Sequence, residues 1–416
     1  MVIYGNPIEK ADSHASYEYE HKVIFQLYDS STGIIYPLAD CQLPGGEMMS
    51  SIEFQDNASY GSYDKPVIFV SSELVQQRHE LNKGWNWMSL YLKSADGQTW
   101  DISSVFDKGI LPYIEEVKEH NYFAKPNKNR DLLIGSLENI EVGKMYKVRM
   151  NEGYSFSRIG LLIDLDNTPQ TIEPEWNWIG SLARYVMSPD RAFAELNPEK
   201  GDMVKNRTSF AEYNGYTWEG KLQEIKPGEG YLYHSRATHA KSFHYPKQVM
   251  SASPAMRRAL ANDEWHWTVE NINHYPDNMT ILATLEKDDL QIVDAEVAAF
   301  IEGECRGTIK GKDGHYFLTV LGVSAEDTHK PITLKAWMDG KEYDIDDMGF
   351  YFTSDTSYGS FVDGLVKLTI GGGTGINSIT ADDNHADWYD LQGRKLNGKP
   401  TKKGVFIKNR NKEVVK

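Results

Sequence analysis

Along most of the chain, apolar and polar positions alternate in runs of about 5–8 residues broken by Gly, Asn, Asp and Pro, the spacing of strands in a sandwich or barrel. In Trp85-Asn86-Trp87-Met88-Ser89-Leu90-Tyr91-Leu92 the alternation sends Trp85, Trp87, Ser89 and Tyr91 to one side and Asn86, Met88, Leu90 and Leu92 to the other. Both sides are largely apolar, which predicts an inner strand. Strand-like runs also cover residues 279–285, 296–301 and 315–321. Helices are expected to be short. Ser188-Pro189-Asp190 places a capping hydroxyl and a first-turn proline ahead of Arg191–Leu196, and Asp101–Phe106 is its counterpart. The pattern predicts an all-β protein of tandem β-sandwich or barrel-like modules, with one short helix in each central module.

Internal repeats set the boundaries. The opening Leu81-Asn-Lys-Gly-Trp85-Asn86-Trp87 recurs as Ile172-Glu-Pro-Glu-Trp176-Asn177-Trp178. In the same order, Val117-Lys118 matches Val204-Lys205, Phe123-Ala124 matches Phe210-Ala211, and Gly143-Lys-Met-Tyr146 matches Gly228-Glu-Gly-Tyr231. Residues 81–170 and 171–248 therefore read as two copies of one module. A second repeat joins the ends of the chain: Asn57-Ala-Ser-Tyr-Gly-Ser-Tyr63 corresponds to Asp355-Thr-Ser-Tyr-Gly-Ser-Phe361. Residues 1–75 read as the back part of a module that is complete at 264–370, its front lost or encoded upstream. An open sheet edge in such a partial module invites strand pairing, so residues 21–70 are expected to pack on the first copy or on a neighbouring chain. Residues 249–263 read as a linker, Gly371–Gly375 as a flexible joint, and 376–416 as a strand-rich C-terminal hairpin segment.

Composition narrows the possible partners. The 416 residues carry a net charge of −16, so nucleic acid would meet a repulsive field. No stretch has the roughly 18 consecutive apolar residues of a spanning helix, and any export signal is expected to lie outside the chain. Cys41 and Cys305 are too far apart in sequence to suggest a disulfide framework and read as free thiols.

The segment Trp388-Tyr-Asp-Leu-Gln-Gly-Arg394-Lys-Leu396, followed by Gly404-Val-Phe-Ile-Lys408 and a terminal Lys416, resembles the C-terminal tails of secreted and surface proteins of Bacteroidetes-type bacteria. Those tails are similar to the sorting domain read by type IX secretion. Tyr275-Pro-Asp-Asn-Met279 and Gly303-Glu-Cys305-Arg-Gly307 look like modules of large surface proteins from the same bacteria. The resemblance implies an extracellular or outer-surface location.

Catalytic signatures are missing: the chain has no H-E-x-x-H, G-x-S-x-G, P-loop or G-x-G-x-x-G. His234, His239 and His244 alternate between strand faces, and Asp344–Gly349 lacks the ligands of a calcium loop at its later positions, so no metal site and no cofactor are expected. The pairs Trp85/Trp87, Trp176/Trp178 and Trp265/Trp267 each put two indoles on one side of a strand. They read first as core plugs and, in the alternative, as platforms for sugar rings. Exposed binding aromatics are expected at Tyr213, Tyr216 and Trp218, around the Asn214-Gly215 hairpin turn. These features point to a non-catalytic, extracellular multi-module protein, structural or adhesin-like, whose partner is a glycan or another surface protein. Two alternatives stay open: a glycan-binding accessory segment of a polysaccharide-handling system, and the non-catalytic C-terminal part of a larger secreted hydrolase.

Overall fold

A computed structural model describes residues 22–23, 25–29, 34–49, 51–53, 58–71, 74–247 and 264–371, together with the backbone of four C-terminal strands. The expected linker 249–263 and most of the joint 371–375 lie outside the described residues. The chain is all-β, and its α-helices among the described residues are single turns at Ile102–Val105, Pro189–Ala192 and Ser324–Asp327. Both expected caps are present: Asp101 accepts from Ser103 N, and Ser188 accepts from Arg191 N. The third turn, in the module after residue 264, has no counterpart in the sequence reading.

Residues 74–163 and 170–245 each contain a five-stranded sheet, and the two sheets have the same strand order. In the first, strands run in the order Leu133–Gly135, Phe123–Pro126, Ile114–Lys118, Tyr146–Met150, Gly84–Met88. In the second the order is Trp218–Gly220, Phe210–Tyr213, Met203–Lys205, Gly230–Ser235, Glu175–Gly180. The register is also shared, with Lys118 opposite Phe123 and Lys205 opposite Phe210.

Several repeated residues do the same backbone work twice. Asn86 Oδ1 accepts from Asn82 N at 2.9 Å while its amide donates to the Asn82 and Gly84 carbonyls; Asn177 does the same with Glu173 N, at 2.8 Å, and the Glu173 and Glu175 carbonyls. Each Asn thus clamps the left-handed turn that feeds its Trp-Asn-Trp strand. Tyr146 Oη accepts from Glu141 N at 2.8 Å, and Tyr231 Oη accepts from Lys226 N at 2.7 Å. A Cβ on Gly135 would lie 2.1 Å from the Phe123 carbonyl oxygen, and one on Gly220 2.3 Å from that of Phe210, so only glycine allows the strands to approach this closely.

Residues 264–371 form a sandwich. One sheet centres on Asp277–Lys287, flanked by Tyr316–Gly322 and, in parallel, by Ser357–Tyr358 and Val366–Thr369. The other runs Glu304–Lys310, Glu296–Ile301, Thr333–Met338, Lys341–Asp344. Their inner faces share one core that includes Ile281, Leu285, Val297, Leu318, Leu334 and Phe352. The N-terminal strands Phe25–Asp29, Ile34–Gln42, Met48–Met49 and Ile68–Ser71 form a smaller sheet, and Tyr36 from it packs on Val75 and Leu92 of the first copy. In the separate C-terminal unit the backbones of Trp388–Tyr389, Lys395–Leu396, Gly404–Lys408 and Asn411–Val415 pair antiparallel.

Candidate functional site

The tryptophans of the two Trp-Asn-Trp strands face away from their own cores. On the Gly84–Met88 strand the core side is taken by Met88, and on Glu175–Gly180 by Ile179, whereas Trp87, Trp176 and Trp178 cluster with Met145 and Leu232 between the copies. They are therefore neither core plugs of their own module nor free sugar platforms. Period-2 alternation separates the two faces of a strand correctly here, but it is silent on what meets the outward one.

That face is a junction of three modules. Lys147 Nζ sits 4.9 Å from the Trp87 ring and 4.8 Å from the Trp178 ring, and 2.8 Å from Asp277 Oδ1 of the third module. Asp277 Oδ2 accepts from Ser324 N and Oγ, and Trp87 Nε1 donates to the Pro276 carbonyl at 3.1 Å. Alongside, Lys205 Nζ lies 4.4 Å from the Trp176 ring and 2.8 Å from Asp355 Oδ1. Lys205 is fully buried. Burial pulls its ammonium down from the ordinary lysine range, with the Asp355 carboxylate acting against the fall. Burial acts on Asp277 in the opposite sense, raising it, but the Lys147 charge and the bonds from Lys147 and Ser324 outweigh that and hold its carboxyl below the usual range. Two desolvated cations, each stacked on indole and closed by a carboxylate, make a directional lock. Backbone contact adds to it: Ser89 N donates to the Gly228 carbonyl and Gly180 N to the Gly143 carbonyl.

Beside the junction lies a cleft of about 320 Å³, lined in part by Arg78, Glu80, Asn82, Trp87, Arg207 and Glu229. Arg207 donates to the Ile272 carbonyl and to Asn273 Oδ1, and burial pulls its guanidinium down to about 10. His79 backs the cleft; burial, with the nearby Arg158 charge, lowers it to about 4, so it stays neutral at physiological pH. The rim offers guanidinium and amide donors beside carboxylate acceptors, a set suited to holding a polar or anionic group.

The predicted binding aromatics separate. Trp218 is only 6% exposed and packs on Phe193 and Tyr233 in the core of the second copy, a correction to the expected exposed ring. The reason is register: Trp218 stands opposite Tyr213, and its neighbours Glu219 and Thr217 take the outward positions. Tyr213 is half-buried, and Tyr216, at 92% exposed on the turn tip, alone keeps a free ring. Trp265 and Trp267 are a second correction, since they lie on no strand; Trp265 sits beneath Lys310 and Lys221, and Trp267 packs edge-on against Phe300. His234 and His244 each face a glutamate, Glu175 and Glu195, and among the described residues no group of three or more His, Cys, Asp and Glu is placed to hold a metal ion. Cys41 and Cys305 are free thiols. Among the described residues no helix is long and apolar enough to cross a membrane.

Sequence reasoning missed Lys147, Lys205, Asp277 and Asp355. The signals were the repeated Val-Lys pair at 117–118 and 204–205 for Lys205 and the repeat beginning at Asp355, while Asp277 lay inside the Tyr275–Met279 segment with no role read for it. Comparison with protein-family models, with curated proteins and with solved structures finds no match.

Proposed function

We propose that this chain is a non-catalytic, extracellular or cell-surface multi-module protein, structural or adhesin-like, that holds duplicated β modules in fixed relation to present a binding surface. The observation that carries the reading is the use to which the repeated residues are put. Asn86 and Asn177, Tyr146 and Tyr231, and Gly135 and Gly220 all serve backbone geometry in both copies, and the tryptophans with Lys147 and Lys205 serve the junction. Duplication that keeps packing positions argues for a spacer and presenter rather than for a reaction centre. The outer-surface location rests on the resemblance of residues 388–416 to sorting tails. The test is a pull-down of surface proteins run beside a hydrolase panel: a specific protein partner supports the reading, and turnover of any substrate overturns it.

A second reading, glycan binding, is favoured by the cleft between the copies. Its rim pairs Arg78 with Glu80 at 2.9 Å, both well exposed, next to Asn82 and Arg207. A glycan array compared with the Arg78→Ala variant tests it. Binding that is lost in the variant supports the cleft, and an array without signal removes it.

A further inference from the structure

The two copies differ in what covers the outward face of their five-stranded sheets. In the second copy, Phe210 is fully buried, its ring 5.5 Å from Phe317, which in turn lies 6.2 Å from Phe361. Phe361 N donates to Glu212 Oε1 at 2.7 Å and Asp355 takes Lys205, so the third module docks by a phenylalanine, a backbone N–H and a carboxylate. The register-equivalent face of the first copy carries Phe123 at 47% exposed and Lys118 beside it. Its edge strand adds Ile134 at 54% exposed, flanked by Leu132 at 51%, where the second copy has Glu219 and Thr217. Proteins usually guard an exposed sheet edge with charge, and here the open edge is the apolar one.

The other half of the docking pair is also duplicated. The loop Ala58-Ser-Tyr-Gly-Ser-Tyr63 matches Thr356-Ser-Tyr-Gly-Ser-Phe361, and the two turn at the same glycine, the first closing one residue sooner. Gly61 and Gly359 both take left-handed φ, at 91° and 76°, and a Cβ on them would meet Val67 N at 3.0 Å and Val366 N at 2.9 Å. Ser62 N donates to the Lys65 carbonyl and Ser360 N to the Gly364 carbonyl. Phe361 at the end of the second loop is half-buried against its neighbours, whereas Tyr63 at the end of the first is 100% exposed.

One chain thus displays both halves of an interface that is already closed elsewhere within it, and the exposed halves do not meet each other. We infer that the Tyr63 loop of one chain docks on the Phe123 face of a second copy. The Tyr63 ring packs directly on Phe123 and Ile134, where in the internal interface Phe317 covers Phe210 and Phe361 backs Phe317. The contact is heterologous, so it joins copies head to tail and propagates unless a ring closes. It is weaker than its internal model, because Lys118 is already engaged by Glu116 at 3.5 Å and Lys125 stands where Glu212 accepts the Phe361 N–H. The inference stands on the repeat alone and is independent of what the cleft binds.

Sedimentation equilibrium on the whole chain from about 1 μM to 1 mM tests it, since weak contacts populate within that range. The parent is expected to show a mass that climbs with concentration. Tyr63→Lys and Phe123→Lys should each weaken association at least tenfold, as Ile134→Lys should on the same face, with tryptophan fluorescence confirming the fold of these surface variants. An equimolar mixture of the Tyr63→Lys and Phe123→Lys chains keeps one good contact and should form dimers that grow no further. A parent that stays monomeric throughout overturns the inference. So does a mixture that stays monomeric, or association that these variants leave unchanged.

Discussion

The first and second Trp-Asn-Trp copies share strand order, register, turn clamps and tight glycines, yet the end of the outward sheet face that carries Phe123 in one and Phe210 in the other is solvated in the first and sealed in the second. Phe123 and Phe210 are equivalent, as are Lys118 and Lys205, and so are the cation–π contacts of those lysines with Trp85 and Trp176. The lysine side chain is 43% exposed in the first copy and 0% in the second. Backbone architecture and face chemistry are thus separable: the first is carried by Asn, Tyr and Gly, the second is set by the neighbour. A residue's energetic weight follows from the neighbour rather than from its place in the repeat.

The largest contrast should come from the aromatic pair. Phe210→Ala removes a ring from a sealed interface and is expected to cost about 3–5 kcal/mol, while Phe123→Ala should stay within about 0.5 kcal/mol in the monomer. Urea titration of each variant measures both, and equal costs would break the comparison. Next is the charge lock. Asp355→Ala leaves Lys205 buried without its partner and should cost about 3 kcal/mol, less than a fully buried pair because Asp355 keeps some solvent contact. Glu116→Ala, which frees the exposed Lys118, should cost below about 1 kcal/mol in the same titration. A double-mutant cycle on Lys205 and Asp355 sharpens the contrast.

A smaller effect depends on pH. Burial lifts the Glu212 carboxyl from its ordinary 4.5 to about 7, with the Phe361 N–H bond and Arg236 acting against the rise. The folded state then holds a proton that the unfolded chain has released, so this group's contribution to stability is full below about 4.5 and falls as pH rises through about 7. Glu212→Gln keeps the shape without the titration. It should gain roughly 3 kcal/mol on the parent at pH 8 and nothing at pH 4, read by thermal melts across the range. Lys125 stands at the equivalent position of the first copy, and Lys125→Gln should show no such divergence.

Much of the fold was legible because its cues are local. The Trp85 alternation, the Ser188 and Asp101 caps and the shared order of Trp-Asn-Trp, Val-Lys and Phe-Ala carry strand faces, helix starts and copy number within a few residues of one another. The junction was not legible, because its partners are remote: Lys147 meets Asp277 across 130 positions and Lys205 meets Asp355 across 150. A lysine between valine and a turn looks like a solvated strand end until a second module covers it. Trp218 was misjudged for a related reason. The Asn214-Gly215 turn marks the hairpin, but strand register, not distance from the turn, decides which ring points inward.

The central claim is that the two copies and the third module are locked into one cooperative body by the tryptophan–lysine junction. Scanning calorimetry of the whole chain tests this most directly, with calorimetric and van't Hoff enthalpies compared for the main transition. The account predicts a single transition spanning residues 74–371 with the two enthalpies in agreement, and its splitting into separate module transitions in the Lys147→Ala, Lys205→Ala double variant. Two or three resolved transitions in the parent, unmoved by that variant, would contradict it.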